Sequence, residues 1–115
     1  CNIAAGCARR IEREKTAWGE GLALLLRAGV RACRGQSERA IALLEAAEEI
    51  LEQSDMYIFA AAARRRRGQL TGGVGGYELV SEAERALRKR GIQNPSAVTD
   101  MLVPGFRPPV FEGAA

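Results

Sequence analysis

The chain has no histidine, and only three cysteines among its 115 residues. Imidazole is therefore excluded within it, both as a general base and as a metal ligand. Cys1, Cys7 and Cys33 form no C-x-x-C pair, so a thiolate zinc site or a redox dithiol has no framework. Aromatic residues are 5% of the total. Threonine, valine and isoleucine are too sparse for a sandwich or barrel. No stretch approaches the roughly 18 apolar residues of a membrane span, and no basic-plus-apolar leader is present. A dominant charge sign is missing too. Seventeen basic and 14 acidic residues give a net charge of +3, whereas a nucleic-acid binder concentrates its charge more heavily.

Alanine and leucine supply most of the 47% hydrophobic content, which suits closely packed helices. The expected fold class is all-α, built from antiparallel helical hairpins, with five helices and a short sixth. Residues 1–106 form the expected helical domain and 107–115 a tail. The odd cysteine count fits a reduced, cytoplasmic setting. Cys7 and Cys33 are expected to pack as small hydrophobes. A start at cysteine rather than methionine reads as a fragment of a longer protein.

The spacing predicts a first helix to about Lys15, with Ile3, Cys7 and Ile11 in steps of four. Thr16 is a plausible cap for a second, running from Trp18 to Cys33 or Arg34. Trp18, Leu22, Leu25, Gly29 and Ala32 form its stripe, and Leu24, Leu26, Ala28 and Cys33 widen it. Gly35 can stop that helix, and Ser37 can cap a third one, which ends near Gln53. Ala40, Leu43, Leu44, Ala47, Ile50 and Leu51 fall on one face of the third helix. Glu45, Glu48, Glu49 and Glu52 mostly lie outside it. Ser54 or Asp55 then caps a fourth helix from Met56 to about Leu70. Its first half is apolar on nearly every side, which predicts the most central position.

Arg64-Arg65-Arg66-Arg67 follows. Four consecutive residues cannot share a helix face at about 100° per step. The simpler reading is ion pairing with the glutamates of the third helix and a favourable helix-end dipole. The sharper one is a patch for phosphate or an acidic partner. Leu70 to Gly76 reads as a glycine-rich turn. It lacks the lysine and hydroxyl residue of a phosphate-binding loop, and no strand precedes it. A fifth helix from Tyr77 to Arg90 sets Val80, Ala83 and Leu87 on its core face, with Tyr77 beside them. Gly91 ends it. Asn94-Pro95 opens a short sixth helix, whose Val98, Met101 and Leu102 are expected to close the bundle. Phe106 to Ala115 has no period.

Gly35-x-x-x-x-Ala40, with Ala47 seven residues on, Leu24 and Ala28 before, Ala62 one repeat of about 34 residues after Ala28 and a late Ala83, resembles the tetratricopeptide-repeat superfamily. One unit is regular and one is stretched. A longer block is similar to the C-terminal end of very large bacterial signalling proteins. Its residues are Ala61 to Gly73, Gly76-x-x-Leu79-Val80-x-x-Ala83-Glu84, Gly91-Ile92-Gln93-Asn94-Pro95 and Pro104-Gly105-Phe106. Those proteins are serine/threonine kinases with an ATPase-like module and a long helical-repeat region. The likeness runs from about Ala8 to Phe106. Members often carry Trp-Met where this chain has Ala86-Leu87. No kinase or ATPase motif lies in this stretch, so the resemblance implies position, as a terminal helical-repeat cap, and no chemistry.

The expected function is a non-catalytic scaffold, a protein–protein or autoregulatory end module of a signalling protein. Its candidate groove residues are Arg27, Arg31, Arg34, Tyr57, Arg64 and Arg65. Leu24, Leu44, Ala62 and Leu87 are assigned to the core. Expected partners are other domains of the same parent, a signalling protein, or a second copy through the exposed fragment edge. The alternative is a nucleic-acid-binding helical domain using the same arginines. No catalytic, cofactor-binding or metal-ligating residues are assigned. Adjacent Glu48 and Glu49 do not face each other on a helix, and no facing helix supplies Glu-x-x-His.

Overall fold

A computed structural model describes the backbone of residues 2–103 and the side chains of residues 17–103. Expectations that fall on the side chains before Ala17, or on the tail after Val103, lie outside the described residues. All regular structure within them is helical. It comprises α1 (Asn2–Cys33), α2 (Ser37–Gln53), α3 (Tyr57–Thr71), α4 (Gly73–Lys89) and α5 (Pro95–Leu102). Successive helices pack on one another, α1 on α2, α2 on α3 and α3 on α4, and α5 folds back against α3 and α4. None of the described helices is long and apolar enough to cross a membrane.

The first two expected helices are one. α1 runs unbroken through Thr16, which therefore caps nothing. A hydroxyl residue permits a cap but cannot force one where helix-forming residues continue on both sides. Ser37 is the first residue of α2 rather than its cap. Gln36 precedes it, and the Gln36 side chain accepts from Arg31 Nη1 at 2.9 Å instead of capping. Ser54 and Asp55 do not cap α3 either, because Met56 holds that position. Asp55 instead takes a left-handed conformation, φ 60°, at the end of α2. Gly35 and Gly91 do the same after α1 and α4. All three corners are closed by the paired reverse hydrogen bonds of a left-handed helix end, such as Gln36 N to Arg31 O and Met56 N to Leu51 O.

The corner between α3 and α4 is different. The expected glycine loop is mostly helix, and only Gly72 separates the two elements. Its φ of 69° and ψ of −178° belong to a region open to glycine alone. Such a sharp corner brings the helices together at once. A Cβ on Gly68 would lie 2.7 Å from Gly76 O and 2.9 Å from Leu79 Cβ, and one on Gly76 would strike Gly68 O. The missing side chains let the backbones touch four residues either side of the corner.

The core joins Leu25 and Ala28 of α1, Leu44, Ala47 and Leu51 of α2, Ala60, Ala62 and Ala63 of α3, and Val103. Each fully buried leucine contributes about 1.5–3 kcal/mol. The small positions of the repeat pattern, Ala28, Ala40, Ala47, Ala62 and Ala83, are all fully buried. Alanine there allows interaxial distances near the short end of the usual range of about 8–10 Å. Leu44 and Leu87 are buried as expected, and Leu24 packs half-buried against the cluster.

Four apolar expectations fail. Leu26, Cys33, Tyr77 and Met101 are exposed. Leu26 lies one residue round the helix from buried Leu25, turned away from α2, and Cys33 is the last residue of α1. Tyr77 and Met101 fall at helix positions with no neighbour over them. Asn94 caps α5 as expected, accepting from Ala97 N at 3.1 Å, with Pro95 as the first helical residue.

The arginine hub and the candidate interaction surface

Alanines 60 to 63 keep α3 narrow, so the four arginines that follow emerge between close neighbours. At about 100° per residue they point in four directions, and α3 has helices on several sides to receive them. Arg64 Nε donates to Glu48 Oε1 of α2 at 2.7 Å, and its Nη2 lies 3.4 Å from Glu52 Oε2. Its Nη1 reaches Glu82 of α4 at 4.0 Å. Arg67 returns to α2, donating through Nε and Nη2 to Glu48 Oε2 at 3.2 and 2.9 Å, with Glu45 at 3.9 Å. Arg65 turns to α4 and donates to Glu84 Oε2 at 3.0 Å. Arg66 turns to α5.

Glu48 is the centre of this hub. It is 6% exposed, and both its carboxylate oxygens are gripped by guanidinium groups. A charge taken so far from water is tolerable only when paired and hydrogen-bonded. Burial alone would lower the pKa of Arg64. The hydrogen bond and charge of Glu48, helped by Glu52 and Glu82, outweigh that and hold it above its usual value.

Arg66 works as a staple. It is 3% exposed. Nε donates to Val103 O at 3.1 Å, Nη2 to Asp100 Oδ1 at 2.7 Å and Nη1 to Gln69 Oε1 at 2.9 Å. One guanidinium thus ties α5 to the middle of α3. Burial lowers its pKa, the Asp100 interaction offsets part of that, and the charge of Arg65 adds to the lowering.

The six candidate groove residues divide into two sets. Arg27 on α1 and Arg34 in the corner after it are exposed and make no ion pair with a described carboxylate. Half-buried Arg31 is held by Gln36. Tyr57 is exposed and engaged by its own neighbours. Its hydroxyl donates to Asp55 Oδ1 at 2.7 Å and Arg90 lies over its ring at 4.4 Å. The hydrogen bond to Asp55, then the charge of Asp55, raise the Tyr57 pKa against the opposing pull of Arg90. Arg64 and Arg65 face inward, and Arg65 is only 8% exposed. The structure therefore brings Arg64 and Arg65 together with carboxylates and leaves Arg27 and Arg34 to solvent.

The apolar spacing sets Glu48 outside the stripe and marks no separate role for Arg66. A signal for Glu48 was present. It stands four residues after Leu44 and three before Leu51, on the line that both bury. Among the described residues, no group of three or more Asp, Glu, Cys or His is placed to hold a metal ion. Comparison of the chain with protein-family models, with curated proteins and with solved structures finds no match.

Proposed function

We propose that this chain is a non-catalytic helical scaffold, an end module through which a larger signalling protein makes protein–protein or autoregulatory contacts. The parent would be a multidomain kinase or related ATPase, as the sequence resemblance implies. The carrying observation is the division of the arginines. The run on α3 is consumed in holding α2, α4 and α5 together, whereas Arg27 and Arg34 stay in water. Consecutive antiparallel helices with buried small residues at their crossings are the way helical repeats continue a core. The exposed Arg27 and Arg34 suit carboxylates of a protein partner, which guanidinium binds bidentately. The same division weakens the nucleic-acid reading, because its strongest candidate patch is already neutralised by glutamates.

The test is titration of the chain with the other domains of the proposed parent, and separately with duplex and single-stranded nucleic acid, at two salt concentrations. Saturable protein binding that falls at least about tenfold in Arg27→Glu/Arg34→Glu supports the scaffold. Salt-steep binding to nucleic acid without a protein partner overturns it.

A further inference from the structure

Among the described helices, α5 alone is too short to stand by itself. It has eight residues, and isolated helices below about 12–15 residues are marginal in water. It buries Pro95 and Thr99, with Val103 just past its end. The Thr99 hydroxyl turns back on its own helix and donates to Pro95 O at 2.7 Å. The corner that leads into α5 contains Gly91, at φ 90°. The most specific hold on α5 is polar. Arg66 Nε donates to Val103 O at 3.1 Å and Nη2 to Asp100 Oδ1 at 2.7 Å.

The seat beneath α5 carries more hydrogen-bond donors than α5 satisfies. Around α3, the direction of Arg65 falls between that of Gly68, which meets α4, and that of Arg66, which meets α5. Arg65 is 8% exposed, and its Nε donates to Glu84 Oε2 at 3.0 Å. Its Nη1 is buried and has no hydrogen-bond partner. A guanidinium donor taken from water without an acceptor bears the full cost of its lost hydration. α5 brings a single carboxylate to these two adjacent arginines, that of Asp100, and its side chain is 61% exposed.

We propose that α5 is a releasable strap seated in a carboxylate-binding site of α3, and that the ligand displacing it is an acidic helical segment of a partner protein. Asp100 and the Val103 carbonyl stand in that site for the ligand's own groups. A segment with two carboxylates one turn apart would engage Arg66 and also meet the Arg65 donor that α5 leaves without an acceptor. Glu84 beside the seat disfavours a phosphate backbone as the occupant. The seat is covered from within the chain, by α5, and it is a different surface from Arg27 and Arg34. Its test and that of the scaffold contacts therefore fail separately.

Two measurements on the full chain test the strap. In native-state hydrogen exchange, the amides of Val98 to Val103 should exchange at least about a hundredfold faster than those of Ala60 to Ala63, after correction for intrinsic rates, and with little response to low urea. Both segments exchanging at one rate with one urea dependence would overturn the strap. This measurement needs no substitution, so it holds whether or not a variant folds. The second uses Asp100→Arg, which repels Arg66 and loosens α5. The probe is a synthetic peptide of residues 94–103 carrying Ser96→Glu, which sets two carboxylates one turn apart. Followed by amide chemical shifts at Ala62, Arg65, Arg66 and Gln69, it should bind the Asp100→Arg chain at least about tenfold more tightly than the unaltered chain, whose own α5 competes at about millimolar effective concentration. The same peptide with Asp100→Asn should bind at least about tenfold more weakly. Equal binding to both chains, shifts confined to other helices, or no binding up to about 2 mM peptide would overturn the site.

Discussion

The two hairpins of this molecule reach similar packing by different means. Between α1 and α2 the chain spends Arg34, Gly35 and Gln36 on the corner, and the helices separate enough for leucine and alanine to meet. Between α3 and α4 it spends Gly72 alone, and the backbones touch at Gly68 and Gly76. A longer corner leaves room for side chains. A one-residue corner removes that room, so small residues are forced at fixed distances from it. The junction between the two hairpins adds a third device, since α2 and α3 are joined through buried Glu48 and two arginines.

The sharpest way to break this comparison is at the glycine contact. Gly76→Ala drives a methyl group into the Gly68 carbonyl, and backbone cannot step aside. We expect a loss of about 3 kcal/mol even after the roughly 1 kcal/mol that alanine gains in helix propensity. Gly21→Ala meets only the end of Leu51, which can rotate, so the two effects nearly cancel, to within about 1 kcal/mol. Urea denaturation midpoints of the two variants check this, and equal losses would show that the hairpins do not differ in the way described.

Next in size is the buried charge. Glu48→Ala strips both Arg64 and Arg67 of their main partner and should cost about 2–3 kcal/mol. Glu84→Ala affects Arg65 on a less buried pair, half-exposed on the carboxylate side, and should cost about 1 kcal/mol. Thermal unfolding of both variants at one pH orders them. A smaller loss at Glu48 would mean that burying its charge cancels the pairing.

The corners themselves are tested last, by a comparison within the same range. Gly72→Ala must hold a conformation closed to alanine and should cost about 2 kcal/mol. Gly35→Ala enters the ordinary left-handed region and should cost about 1 kcal/mol. Gly→Ala at the two corners, compared by denaturant midpoint, measures how much sharper the second turn is.

Helix content, the central place of α3 and the buried alanines were all legible from spacing. So were the Asn94-Pro95 start of α5 and the left-handed glycines Gly35 and Gly91. Local signals sufficed because each element satisfies its own backbone hydrogen bonds and its buried residues recur at the helical period. The caps at Thr16, Ser37 and Ser54 were misread because a hydroxyl residue is compatible with both a helix interior and a helix start. The glycine run reads as loop on helix propensity alone, and the close packing of Gly68 on Gly76 outweighs that propensity.

The sequence by itself determined that this is an all-α chain of short-cornered helices, and where its small crossing residues lie. Only the tertiary structure decided which carboxylate each arginine meets, that Glu48 is buried, and which face of α1 meets α2. A charge at position 48 is costly or stabilising according to what stands 16 and 19 residues along the chain. No local period encodes that distance, because it is set by how two helices come to lie side by side.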